Sequence, residues 1–323
     1  MSDSAIRWGV IGCGGVTEVK STPAYQKVKG FQVEAVMARD TVKLKKYAAK
    51  HGILHCFNSA EPLIDSVDAV YIATPPDSHI HYAKMVLEAG KPCCIEKPLA
   101  ICYVEAEPVV AAFEQCAIPL FVAYYRRSLP RFNQVKSWVD QGMIGQVRQI
   151  SWNFCKPANE LDKSKSYNWR TDPAVALGGY FEDLASHGLD LFNFLLGNIC
   201  TAHGLSVNQQ GLYGAKDAVT AVWQHPDNVL GAGYWNFGAY TRQDDVEILG
   251  EHGKICFSVF LEAPVRLITE THEEQLSIKH PDNIQLHHVE NMRDALMHHK
   301  PHVSTGKTAL HTNWVMDKIL GRS

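Results

Sequence analysis

The stretch IRWGVIGCGGVTEVK, residues 6–20, constrains this chain more than any other. A continuous apolar run that meets Gly12, Gly14 and Gly15 and then turns helical is a buried strand, a tight turn and a helix start. The same rhythm repeats downstream. FQVEAVMA precedes the amphipathic TVKLKKYAAKHG, closed by Gly52; AVYIATPP precedes SHIHYAKMVLEAG, ended by Gly90. PCCIEKP leads into YVEAEPVVAAFEQCA, a helix expected to be interrupted at Pro108, and PLFVAYY is a further strand. Strands that are apolar along their whole length, alternating with helices, predict a parallel sheet covered on both faces with right-handed crossovers.

After Arg126 the pattern changes. LPRFNQVKSWVDQG reads as a helix and GQVRQISWNFCKP as a long strand of alternating polarity. ALGGYFEDLASHGLDLFNFLLG is a strongly apolar helix. It is followed by the β-patterned runs AVTAVWQHP, VLGAGYWNFG, DDVEILGEHGKICFSV and VRLITE, with EHGK and HPDN as turns between antiparallel strands. TALHTNWVMDKILG is a last helix. With 323 residues the chain suits two domains, predicted as 1–124 and 125–323.

The bulk chemistry excludes several function classes. Lys and Arg number 31 against 34 Asp and Glu, so no global field attracts nucleic acid or an anionic membrane. No run approaches the about 18 apolar residues of a membrane span, and MSDSAIRWGV lacks a secretory pattern; a cytoplasmic protein is expected. The 9 cysteines are scattered without a CxxC, which leaves zinc ribbons and thioredoxin-like sites without support. Histidines in IQLHHVEN and LMHHKPHV look ligand-like, yet none has a partner at metal-ligand spacing. Solvated helix or loop histidines, and no metal, are expected there.

Gly12, Gly14 and Gly15 at the end of a first strand let backbone approach a pyrophosphate, with helix N–H groups facing the phosphates. The third glycine of that pattern is replaced by Thr17, a departure. The second strand ends in VMARD, with Ala38 where an acidic residue usually holds the ribose hydroxyls of NAD. A small residue followed by Arg39 leaves room for a 2′-phosphate and supplies a guanidinium to pair with it, which favours NADP over NAD. The bland alternative makes Arg39 a solvent-exposed loop residue and Asp40 a helix cap.

TPPDSH and EKP follow the next two strands, at the edge where doubly wound sheets bind ligands, so Lys97 is expected at a ligand. Asp183 and His187 stand i, i+4 on one helix, sharing a face. From that helix alone, a satisfied core pair and a functional pair weigh equally.

Taken together, GVIGCGGVTEVK, IATPPDSHIHYAKMVLEAGKPCCIEKPLA, YYRRSLPRF, IGQVRQISW, NWRTDPAVALGGYFEDLASHGLDLFNFLLG and ILGEHGKI resemble the Gfo/Idh/MocA oxidoreductases, with AVMARD pointing to the NADP-using dihydrodiol and sugar dehydrogenase branch. The resemblance implies an α/β Rossmann domain followed by an α+β domain with a large, mostly antiparallel open sheet, whose outer face joins a homodimer or homotetramer. It implies cofactor contacts from Gly12, Gly14, Gly15, Val16, Arg39, Thr74, Pro75, His79, Glu96 and Lys97. It also implies that Lys97 bonds the reacting oxygen, that His187 moves the hydroxyl proton, and that Asp183 places substrate and lysine. Tyr124, Arg126, Trp169 and Arg170 match positions near the substrate, a sugar, polyol or related cyclic hydroxy compound. Two alternatives stay open: an NAD-dependent glycoside hydrolase of the same superfamily, and a non-catalytic NADP- or sugar-binding regulator.

Overall fold

The computed structural model describes residues 5–322, and they form two compact units. One takes the chain up to Leu129 together with Pro281–Leu310; the other takes Pro130–His280 and the chain from His311 on.

In the first unit, six parallel strands run β1 (Ile6–Ile11), β2 (Phe31–Met37), β3 (His55–Phe57), β4 (Ala69–Ile72), β5 (Cys93–Ile95) and β6 (Leu120–Val122). Their spatial order is β3-β2-β1-β4-β5-β6. Helices α1 (Thr22–Lys27), α2 (Thr41–His51), α3 (Ala60–Ser66), α4 (His79–Glu88) and α5 (Tyr103–Gln115) connect them. All residues of β4, β5 and β6 are buried. Two apolar clusters do this: Leu63, Ile80, Val86, Val109 and Phe113 belong to one, and Tyr25, Leu44 and Tyr47 to the other. The strand order reverses between β1 and β4, and the carboxyl edge of such a switch point is where doubly wound sheets bind ligands.

One local expectation is corrected, and one strand was not anticipated. The α5 helix continues through Pro108; Pro108 is exposed, so the backbone bond it cannot donate is lost on the outer side of the helix, where water is available. The three-residue edge strand β3 carries too short a pattern to be read.

In the second unit, β7 (Val147–Cys155), β8 (Thr201–Val207), β9 (Ala218–Gln224), β10 (Leu230–Asn236), β11 (Gln243–Gly250), β12 (Gly253–Phe257), β13 (Val265–Thr269) and β14 (Glu273–Leu276) form one sheet. Its order is β14-β13-β12-β11-β7-β10-β9-β8, and only β7 and β10 pair in parallel. The helices are α6 (Pro130–Asp140), α7 (Glu160–Lys163) and α8 (Ser186–Leu196). One face of the sheet packs an aromatic core of Trp152, Trp223, Trp235 and Phe154. Helix α8 comes so close that a Cβ on Gly188 would lie 2.2 Å from the Trp152 ring. The Trp152 indole donates to Asp244 Oδ1 at 3.0 Å, which satisfies the buried N–H. The edge strands β8 and β14 were not evident from the sequence, because edge strands bury little and carry weak alternation.

The last helices are α9 (Leu286–His298) and α10 (Gly306–Leu320), and the division between units falls within α10. Val289 and Met292 of α9 lie in the cluster with Trp8 and Tyr25, so α9 belongs to the first unit. This also corrects the reading of its histidines. His288 is 1 % exposed, and its ring meets that of His302 edge-on at 4.9 Å. Burial holds both neutral, with His302 pushed down to about 4. Among the described residues no group of three or more metal-ligating side chains occurs, and no helix is long and apolar enough to cross a membrane.

Candidate active site

In the first unit the predicted residues follow the carboxyl ends of adjacent strands. Gly12 has φ +111°, and a Cβ there would lie 2.8 Å from the Ala73 carbonyl oxygen, so only glycine closes β1. Gly14 and Gly15 have open space where a side chain would project. Helical turns begin at Gly15 and Val16, leaving backbone N–H groups without intrahelical acceptors. Bare backbone, free donors and room above them fit a pyrophosphate. Thr17 is fully buried, and its Oγ1 donates to the Gly14 carbonyl at 2.8 Å. It opens a π-helical stretch, Thr17–Ser21; the wider turn and the hydroxyl bond absorb the side chain that a third glycine would omit.

After β2, Ala38 is half-buried and Arg39 is exposed. Asp40 caps α2, its Oδ1 accepting from the amides of Val42 and Lys43, each at 3.0 Å. Its carboxylate is thereby engaged by the helix.

Thr74 and Pro75 follow β4. His79, by contrast, has no exposed surface: one ring nitrogen lies 2.8 Å from the Thr74 carbonyl and the other 3.0 Å from that of Pro98. The ring is enclosed between the two loops. His79 ties the loop after β4 to the loop after β5.

Glu96 is 7 % exposed. Its Oε1 accepts from the Tyr71 hydroxyl at 2.5 Å and from Gln285 Nε2 at 3.1 Å, and its Oε2 from the Lys97 amide at 3.2 Å. The carboxylate therefore anchors the bend that presents Lys97, and the Lys97–Pro98 peptide is cis. The Ala123 amide donates to the Ile95 carbonyl at 2.9 Å, so the residues after β6 run beside those after β5. Tyr124 is fully buried and Arg126 is 6 % exposed. The Arg126 guanidinium lies 5.1 Å from the Tyr125 ring centroid. Burial pushes the Tyr125 phenol up, but the charges of Arg126, Lys20 and Lys97 outweigh it and hold the group below the usual tyrosine range.

In the second unit, Asp183 lies in a π-helical stretch, Phe181–Ala185, and His187 in the α-helix that continues it. The pair is therefore not set on a regular α-helix. The strong ionic partner of Asp183 is Arg170, whose Nε donates to Oδ2 at 2.6 Å. Arg170 comes from a 3-10 turn, Trp169–Thr171, and stacks on the Trp169 ring at 4.3 Å. His187 is 4 % exposed and meets Phe260 edge-on at 5.9 Å.

Two residues the sequence reading passed over join this cluster. Tyr180 donates to Asp162 Oδ1 at 2.7 Å and accepts from Asn159 and Asn168 at 2.9 and 3.0 Å. Burial first, then the bond to Asp162, pushes its phenol up to about 12. Lys156 directly follows β7 and stands 4.2 Å from the Tyr180 ring centroid. In the SWNFCKP run polar residues alternate with apolar ones, so the lysine that follows the strand carries no contrast to mark it.

Two family profiles match the chain: an oxidoreductase family with an NAD-binding Rossmann fold over residues 6–124, and a GFO/IDH/MocA C-terminal domain over residues 132–256. The chain belongs to the Gfo/Idh/MocA oxidoreductase family. It is 33 % identical over 323 residues to Oxidoreductase P35 of Formosa agariphila, covering 99 % of each chain. To the trans-1,2-dihydrobenzene-1,2-diol dehydrogenase of Bos taurus it is 28 % identical over 231 residues, 71 % of this chain and 67 % of that one. Its fold matches levoglucosan dehydrogenase, solved with NADH and levoglucosan, at a TM-score of 0.87 and 18 % identity, covering 99 % and 97 % of the two chains.

Proposed function

We propose that the protein is an NADP-preferring dehydrogenase that interconverts a hydroxyl and a carbonyl carbon on a sugar, polyol or related ring. The observation that carries this is the placement of Lys97, delivered by β5 at the ligand edge on a bend anchored by buried Glu96, two strands from the glycine turn. A bound nicotinamide supplies hydride exchange. Lys97 then hydrogen-bonds the reacting oxygen and stabilises its alkoxide character. His187 carries the hydroxyl proton, and Asp183, held by Arg170, orients the substrate. Ala38, the exposed Arg39 and the capping duty of Asp40 support NADP. Relatives named for dihydrobenzenediol and levoglucosan support a hydroxyl-bearing ring as substrate. A homo-oligomer formed through the outer face of the second sheet is part of the same proposal, since that face exposes Leu205, Val222, Leu230 and Tyr234.

The Lys97→Ala variant should lose turnover by about 10³-fold while NADPH binding, followed by nicotinamide fluorescence, stays within about threefold. Retained turnover overturns the role of Lys97. Arg39→Ala should lower the NADP-over-NAD ratio of kcat/KM by about tenfold or more; a wild-type enzyme that strongly prefers NAD overturns the cofactor choice.

A further inference from the structure

We propose that the substrate is an acid, a sugar or polyol derivative carrying a carboxylate that Lys156 and Arg170 of the second unit hold. This rests on the dehydrogenase reading and names the substrate class of that enzyme.

Lys156 leaves the sheet at the end of β7, half-buried, with the face of Tyr180 4.2 Å from its ammonium. Among the described residues its ammonium has no hydrogen-bond or ion-pair partner, and burial is the first cause that lowers its pKa. An ammonium carries three donors and no acceptor, and an aromatic face replaces only part of its hydration. Arg170 is half-buried too. Its Nε is engaged by Asp183 Oδ2 at 2.6 Å and its plane by Trp169, but its two terminal nitrogens bond no acceptor among the described residues.

The charges around this point are unbalanced. Lys156 lies close enough to Asp162, Asp183, Arg242 and Arg170 for each to move its ionisation. That is three cations to two anions. Both anions are already occupied, Asp183 by Arg170 and Asp162 by the Tyr180 hydroxyl at 2.7 Å and the Asn159 amide at 3.4 Å. What is left is surplus positive charge and a set of unfilled donors. A neutral hydroxyl fills such a set poorly, because it brings a donor of its own. A carboxylate accepts from a guanidinium and an ammonium at once, through charge-assisted bonds. Tyr180, kept neutral by burial and by Asp162, adds no competing charge.

The test pairs neutral sugars with their acids: D-glucose with D-glucuronate and D-gluconate, and D-galactose with D-galacturonate, each assayed with NADP and NAD. The expected result is an acid-over-neutral ratio in kcat/KM of about 30-fold, carried mainly by KM. Lys156→Met should bring that ratio near one, and Lys156→Arg should restore most of it; the unfolding midpoint of each variant controls for folding. Neutral sugars turned over as well as their acids, or a Lys156→Met variant that lowers both classes alike, would overturn the proposal. If no sugar of either class supports turnover, the dehydrogenase reading fails instead. The acid site is then read by titrating glucuronate into the NADPH-loaded protein. Binding that weakens about 30-fold in Lys156→Met sustains it, and absence of binding ends it.

Discussion

The two sheets treat their faces differently. The parallel sheet of the first unit buries every residue of β4, β5 and β6, and these strands read as unbroken apolar runs. The second sheet packs one face on tryptophans and leaves the other in the open, with Leu205 79 %, Leu230 59 % and Val222 57 % exposed. In both sheets a lysine follows a strand, Lys97 two residues after β5 and Lys156 directly after β7. In the first unit, contrast alone marks it: Glu96 and Lys97 break an apolar run. In the second, polar residues alternate throughout, and Lys156 does not stand out. A strand buried on both faces thus marks its charged end in sequence, and a strand of alternating polarity conceals it.

The comparison can be broken on the inner face first. Trp152→Ala should cost about 3–5 kcal/mol, because Trp152 meets Phe154, Phe192 and Trp235 and lies beneath Gly188. Urea unfolding measures it; a loss below 1 kcal/mol would mean that the aromatic layer is not the core of this sheet.

A second test asks whether the two units share an acid response. His225 in the second is fully buried, with Nδ1 2.7 Å from the Gly197 carbonyl and Nε2 accepting from the Trp223 indole at 3.1 Å. A ring that accepts at Nε2 is neutral, and burial pushes it down to about 4, as it does His302 in the first unit. The folded value lies below the unfolded one, so the unfolded chain binds more protons. Stability from His225 is therefore complete above about pH 6.5 and is lost as pH falls toward 4, by about 3 kcal/mol. Denaturation at pH 7 and pH 4.5 should show the slope, and His225→Gln should flatten it; a wild-type slope of opposite sign refutes the assignment.

At the cofactor turn, Gly12→Ala should cost about 1–3 kcal/mol through its positive φ and its clash with Ala73, and weaken NADPH binding more than stability alone explains. The smallest effect on folding belongs to the outer face. Val222→Lys with Leu230→Lys should change unfolding free energy by about 0.5 kcal/mol or less while converting the proposed oligomer to monomer in sedimentation. A large stability loss without a change in mass would show that this face serves the monomer.

The strand–helix alternation, the glycine turn and the EKP bend were legible in the sequence because each is local. A period of burial or a positive φ selects residue types within a few positions. Pro108 misled by the same logic, since a local rule for helix breaking says nothing about which side of the helix faces water. Other features had no local signature. Glu96 is held by Gln285, 189 residues away. Asp183 turned to Arg170 rather than standing simply with His187 on an α-helical face, because a π-helical stretch and a separate turn set its surroundings. The burial of α9 was not read either: its histidines were expected to be solvated, and which core the helix joins depends on residues far along the chain. Sequence by itself determined the periods, turns and reactive residue types, which depend on neighbours along the chain. Only the tertiary structure decided the pairings of buried polar groups, because a carboxylate or a lysine leaving water takes whichever partner folding brings within about 3 Å.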